Sequence, residues 1–180
     1  MRRRRLLIAG AVVAGVHAID GWRCLLAADQ SPMASIAMAG TANGDRTWFA
    51  PVGLWVAPST IIRWFTPPDQ TQAHATAAYH PSNLNHPLRI PAGAAPWDSG
   101  YVAPGGAFQV QLSVEGVYDY YCRPHEESGM VGRIVVGTPS GHELEDFAAA
   151  AAAHPEWQTL PPEILQAFPK VDEIVRRKVV

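Results

Sequence analysis

Residues 118–130, YDYYCRPHEESGM, decide how this chain is read. They hold a Cys, a His and a Met at fixed spacing: Cys122, then two residues to His125, then four to Met130. Aromatic residues lead into Cys122, and the β-branched run Val131-Gly132-Arg133-Ile134-Val135-Val136 follows Met130. Cys122 therefore closes one strand, His125 lies in the turn, and Met130 opens the next strand. One hairpin end holds a thiol, an imidazole and a thioether in nearly fixed positions. Soft sulfur donors with an imidazole suit copper. A second His has to come from elsewhere in the chain. A disulfide between Cys122 and Cys24, the only other cysteine, would remove the strongest ligand of such a site.

Gly116 to His125, with Gly129-Met130 after them, resembles the copper loop of the cupredoxins, in particular plastocyanin, pseudoazurin and halocyanin. The resemblance runs from about Ile36 to Gly137. It implies an all-β, Greek-key β-sandwich, here followed by a C-terminal helical extension. It also implies one type 1 copper, cycling between Cu(I) and Cu(II), with His74, Cys122, His125 and Met130 as metal ligands. A trigonal His₂Cys set with a weak axial Met is the electron-transfer arrangement of copper. In this family the first His follows a Trp/Phe strand and a loop, as His74 does in IIRWFTPPDQTQAH. His74, Thr76, Ala78 and His80 alternate and share one face of any strand there. His80, next to Pro81 where a strand should end, is the alternative ligand. Ala75 departs from the polar residue of many relatives and leaves the contact that braces the Cys loop unassigned. Tyr118 stands where β-sandwiches place a corner tyrosine. Tyr121 stands where plastocyanin has a tyrosine on a remote electron route, with plain packing or exposure as the competing reading.

The rest of the chain fits a β-rich fold. It has 180 residues, 16 Pro and 15 Gly, enough for one cored domain with many turns. Asn43-Gly44 marks a hairpin between strands near 34–40 and 46–50. Val52, Leu54 and Val56 alternate, 61–65 is another strand, and Phe108, Val110, Leu112 and Val114 share one face of a further strand. Residues 81–104 are loop, pinned by Leu88, Ile90, Trp97 and Tyr101. His80 and His86 lie in it as solvated histidines or as a second, exposed metal site. After Gly137 the composition changes. An Ala-rich helix over 142–153, a second from Pro161-Pro162 to Phe168, and a third around Val171, Ile174 and Val175 are expected to pack on the sandwich or bind a partner.

Four arginines at 2–5 precede the apolar run 6–16, the pattern of an export signal cut after Ala18 or after Ala28, by the Sec or twin-arginine route. The domains expected are thus a signal at 1–28, a copper domain at 34–137 and a helical extension at 138–180. Without residues 1–28, which carry five Arg and one Asp, the chain keeps nine basic and fifteen acidic residues, a formal charge of −6. That balance excludes a nucleic-acid binder and suits a basic redox partner. The expectation is a periplasmic or otherwise exported monomer with no stable membrane span, passing electrons from a donor to an acceptor redox protein. Three other classes compete. A copper enzyme would need further metal centres, and the chain has seven histidines in all. A copper storage or delivery protein would want clustered, exposed Met and His. A zinc site would gain little from an axial Met.

Overall fold

The alternating and β-branched runs form eight strands in the computed structural model, which describes residues 31–180. The Arg-rich leader and Cys24 lie outside the described residues. The strands are β1 (Met33–Gly40), β2 (Thr47–Ala50), β3 (Gly53–Val56), β4 (Thr60–Phe65), β5 (Ala77–Ala78), β6 (Ala107–Leu112), β7 (Gly116–Tyr121) and β8 (Val131–Val136). One sheet has the order β2-β1-β4-β6 and the other β3-β8-β7-β5. β1 runs parallel to β4 and β3 parallel to β8, whereas the other neighbours are antiparallel. The chain crosses between sheets from β2 to β3 and from β3 to β4, so strands far apart in sequence become neighbours.

The core between the sheets is aromatic. The Trp64 ring lies 5.3 Å from Trp97 and 5.4 Å from Tyr120, and Phe49 meets Tyr120 edge-on at 4.7 Å. Gly132 makes room for Tyr120, its cross-strand partner: a Cβ there would fall 2.3 Å from the ring. The Tyr118 hydroxyl donates to the Val114 carbonyl at 2.6 Å, the corner expected of it.

Every residue of β7 and β8 is buried, on both faces. The C-terminal segment explains this. It forms α1 (Glu143–Ala153), α2 (Pro162–Ala167) and α3 (Val171–Arg177) and covers the outer face of the second sheet. Phe147 and Ile174 pack with Val117 and Val135, while Leu160, Ile164 and Phe168 pack with Ala77, Tyr79, Tyr121 and Val131. On the same outer face lies an ion cluster. Arg133, the cross-strand partner of Asp119, donates Nε to Asp119 Oδ1 at 2.7 Å and Nη2 to Oδ2 at 2.9 Å. Arg89 adds a second guanidinium at 2.7 Å. Both arginines lie over the Phe168 ring, and Arg133 also donates to the Pro169 carbonyl at 2.8 Å. The chain then returns to the sheet edge, where Val180 exchanges backbone hydrogen bonds with Gly53 at 2.9 and 3.1 Å.

Three expectations change. β6 stops at Leu112, and Val114 is 36% exposed because the chain turns there toward β7. Tyr101 does not pin the 81–104 loop but is 72% exposed; Ile90 and Trp97 do that work. The segment 72–80 is not a continuous strand, since only Ala77–Ala78 pair with β7.

Asp119 is fully buried between two guanidiniums. Removing one partner of a buried pair leaves uncompensated charge and costs about 3–5 kcal/mol. Asp119→Ala is expected to lose that much in urea unfolding, well above the loss from Glu173→Ala, whose pairing with Arg177 lies at the surface.

Candidate metal centre

The turn after β7 is held by its own backbone. The Cys122 amide donates to the Met130 carbonyl at 3.0 Å, the His125 amide to the Cys122 carbonyl at 2.9 Å, and the Met130 amide to the His125 carbonyl at 3.1 Å. Glu126–Ser128 make one 3₁₀ turn, a feature the spacing did not reveal, and Gly129 ends it at φ 81°, a left-handed conformation that favours glycine. Cys122 shares the inner face with Tyr118 and Tyr120, as strand alternation requires. Met130 enters the same core cluster at the start of β8.

His74 comes from outside the hairpin. Its amide and carbonyl pair with Val102 at 3.2 and 2.7 Å, a single antiparallel bridge rather than a strand. The loop supplying Val102 is fixed by Trp97, whose Nε1 donates to Thr76 Oγ1 at 3.1 Å and whose carbonyl accepts from the Ala78 amide at 3.0 Å. These contacts bring His74 Nδ1 to 3.9 Å and His125 Nδ1 to 3.4 Å from Cys122 Sγ. One donor atom from each of the three residues lies within 4.8 Å of the others. His74, Cys122 and Met130 are buried, and His125 is half-buried.

His80 lies outside this group, with Nδ1 bonded to Ser82 Oγ at 2.8 Å. His86 is not a solvated histidine. It is 4% exposed, its ring packs against Tyr79 and Tyr121, and its Nε2 lies 3.2 Å from Glu126 Oε2. Tyr121 is neither exposed nor near the surface: its ring packs 4.7 Å from Tyr79 and 4.6 Å from His86. The missing brace at Ala75 is replaced by backbone. The Ala75 amide donates to Cys122 Sγ at 3.3 Å, a contact that no side-chain identity could announce. His74 Nε2 is buried and has no hydrogen-bond partner among the described residues.

The electrostatics suit a neutral, dry pocket. Burial pushes the Cys122 thiol up to about 11, against the pull of the Ala75 and His125 amides. Burial, with His125 adding to it, pushes His74 down to about 4, and burial also lowers His125. At neutral pH the pocket thus presents two neutral imidazoles and a protonated thiol. One sulfur and two imidazole nitrogens converging without bulk water fit copper better than a hard cation.

A β-sandwich whose hairpin end gathers this donor set is a copper protein of the cupredoxin fold. The chain belongs to the plastocyanin/azurin family of copper-binding proteins, whose family model matches residues 38–137. Chloroplastic plastocyanin of Chlamydomonas reinhardtii is 44% identical over 50 residues, which are 28% of this chain and 34% of that protein. Chloroplastic plastocyanin of Oryza sativa subsp. indica is 53% identical over 34 residues, 19% of this chain and 22% of that protein. The chain thus spans about a third or less of these relatives' length. Pseudoazurin of Methylobacterium extorquens AM1 shares the fold at a TM-score of 0.55 and 22% identity, over 81% of this chain and 98% of that one.

Because a thiolate binds metal and a thiol does not, loading must displace the Cys122 proton. At pH 7 copper uptake is expected to release close to one proton per protein, measurable by calorimetry in buffers of different ionisation enthalpy. Apparent affinity should rise about tenfold per pH unit above neutrality, toward the raised thiol value near 11.

Proposed function

We propose that this protein carries single electrons between two redox proteins through one type 1 copper bound by His74, Cys122, His125 and Met130. The observation that carries the reading is the convergence of Cys122 Sγ with two imidazole nitrogens in a buried pocket. A copper ion held there supplies a one-electron change and an intense thiolate absorption. Cys122 gives up its proton on loading and keeps the Ala75 amide as a donor to its sulfur. His74 is fixed by its backbone bridge and His125 by the turn, so neither has to move far when the charge of the site changes. Met130 adds a weak, polarisable donor and excludes water. His125, half-buried where the other three are buried, offers the ring edge through which a partner exchanges electrons.

Buried ligands argue against copper storage or delivery, which would want labile, exposed donors. The described residues hold one such group of His, Cys and carboxylate donors, and a one-electron carrier needs one metal. No helix among them is long and apolar enough to cross a membrane. The Arg-rich leader supports export, and the acidic remainder supports a basic partner.

With Cu(II), the purified protein should show an intense visible band that bleaches with ascorbate and returns on oxidation; a colourless protein would sink the assignment. Cys122→Ser should abolish the band. His74→Ala should do the same and His80→Ala should leave it intact, whereas the reverse pair of results would move the ligand to His80. Met130→Leu should keep a coloured site and raise the reduction potential, since an electron-donating thioether is lost.

A further inference from the structure

Glu126 follows His125 directly and opens the 3₁₀ turn that separates it from Met130. Its carboxylate does not point to water. Oε1 accepts from the Tyr79 hydroxyl at 2.7 Å, and Oε2 lies 3.2 Å from His86 Nε2. Tyr79 stands beside β5, on the segment that also carries His74, and His86 lies in the loop that follows it. Both rings are buried and meet edge-on at 5.2 Å, with Tyr121, the neighbour of Cys122, packed against each. The Glu126 and His86 side chains are 17% and 5% exposed.

The protonation pattern of this cluster follows from its geometry. An ionised carboxylate accepts and does not donate. The proton between Glu126 and His86 therefore belongs to Nε2, which leaves Nδ1 with a lone pair only. Nδ1 is indeed a buried atom with no hydrogen-bond partner among the described residues. An unpaired acceptor costs less than an unpaired N–H, so this tautomer is favoured. The Glu126 carboxylate thus sits beside the ligand turn, partly shielded from water.

We infer that Glu126 is a positioning residue for the copper site: it ties the turn carrying His125 to the segment carrying His74, and its partly buried carboxylate favours the oxidised metal. The inference rests on the ligand assignment proposed above. The two hydrogen bonds cross between the two pieces of chain that supply the imidazoles. Without them the turn itself would be tied to the His74 segment through the β5–β7 pairing that precedes it, the Ala75 contact to sulfur and packing. A nearby negative charge stabilises Cu(II) over Cu(I), and the low dielectric of a covered site strengthens the effect.

Two substitutions separate the two roles. In Glu126→Gln the side-chain oxygen still accepts from Tyr79, so that half of the tie survives and the carboxylate charge goes, while the bond to His86 weakens because its proton would have to move to the unpartnered Nδ1. In Glu126→Ala both go. Glu126→Gln is expected to keep the visible band and to favour the reduced form about tenfold, a rise of about 59 mV for one electron. Glu126→Ala is expected to shift the band. In the copper-free protein it should also speed amide hydrogen exchange at 126–130 at least tenfold, with Glu126→Gln restoring slow exchange. Unchanged exchange and an unchanged band in Glu126→Ala would overturn the positioning role. An unchanged potential in Glu126→Gln would overturn the electrostatic one. The wild-type band reports on the ligand assignment separately, and exchange in the copper-free protein reads the tie without it.

Discussion

The hydrogen bond from the Cys122 amide to the Met130 carbonyl is the constraint on which this structure turns. It is the last rung of the β7–β8 ladder, after the Tyr121 and Val131 pair. Side chains alternate along a strand, so a slip of one residue would send Cys122 to the outer face and Tyr121 into the core. The register is pinned from inside by Tyr120 over Gly132 and from outside by Asp119 against Arg133, both cross-strand pairs of the same hairpin. Ladder, core packing and charge pairing agree on one alignment, and that alignment sets which sulfur and which imidazole meet.

His74 reaches the same place by a looser route. It has a single bridge to Val102 instead of a ladder, and the loop that makes the bridge depends on Trp97. The two halves of the site are thus built to different standards: a rigid hairpin on one side, and on the other a segment whose position is assembled from several long-range contacts. The short β5–β7 pairing joins them, and the Ala75 amide to sulfur and the Glu126 contacts with Tyr79 and His86 add to it close to the ligands.

Much of this was legible in the residues. The hairpin, the inward set Tyr118, Tyr120 and Cys122, the corner role of Tyr118 and the helices after Gly137 all follow from local patterns, because period, turn chemistry and helix termini are written in neighbouring residues. The alternation of 74–80 misled, since it described a strand where only two residues pair; His74 is held by a partner about thirty residues away that no local pattern names. Tyr121 could not be placed from its neighbours because what covers it lies in the C-terminal segment, and His86 because the carboxylate it meets is forty residues on. Nothing beside Asp119 in the sequence names its partner. Its partner Arg133 is fourteen residues on, and the need to bury both becomes visible once Phe168 and Pro169 are known to cover them.

That covered face has a consequence for what counts as the unit. The family match ends at Gly137, yet residues 31–180 form one compact body, and the second sheet is dry on both sides because residues beyond 137 lie on it. A chain cut at the end of the family match would keep all eight strands and all four proposed ligands. It would also turn Val117, Val131 and Val135 to water and strip the wall from a carboxylate and two guanidiniums. The stretch recognisable by descent is therefore shorter than the compact body, and the difference is made up by residues that supply none of the proposed ligands.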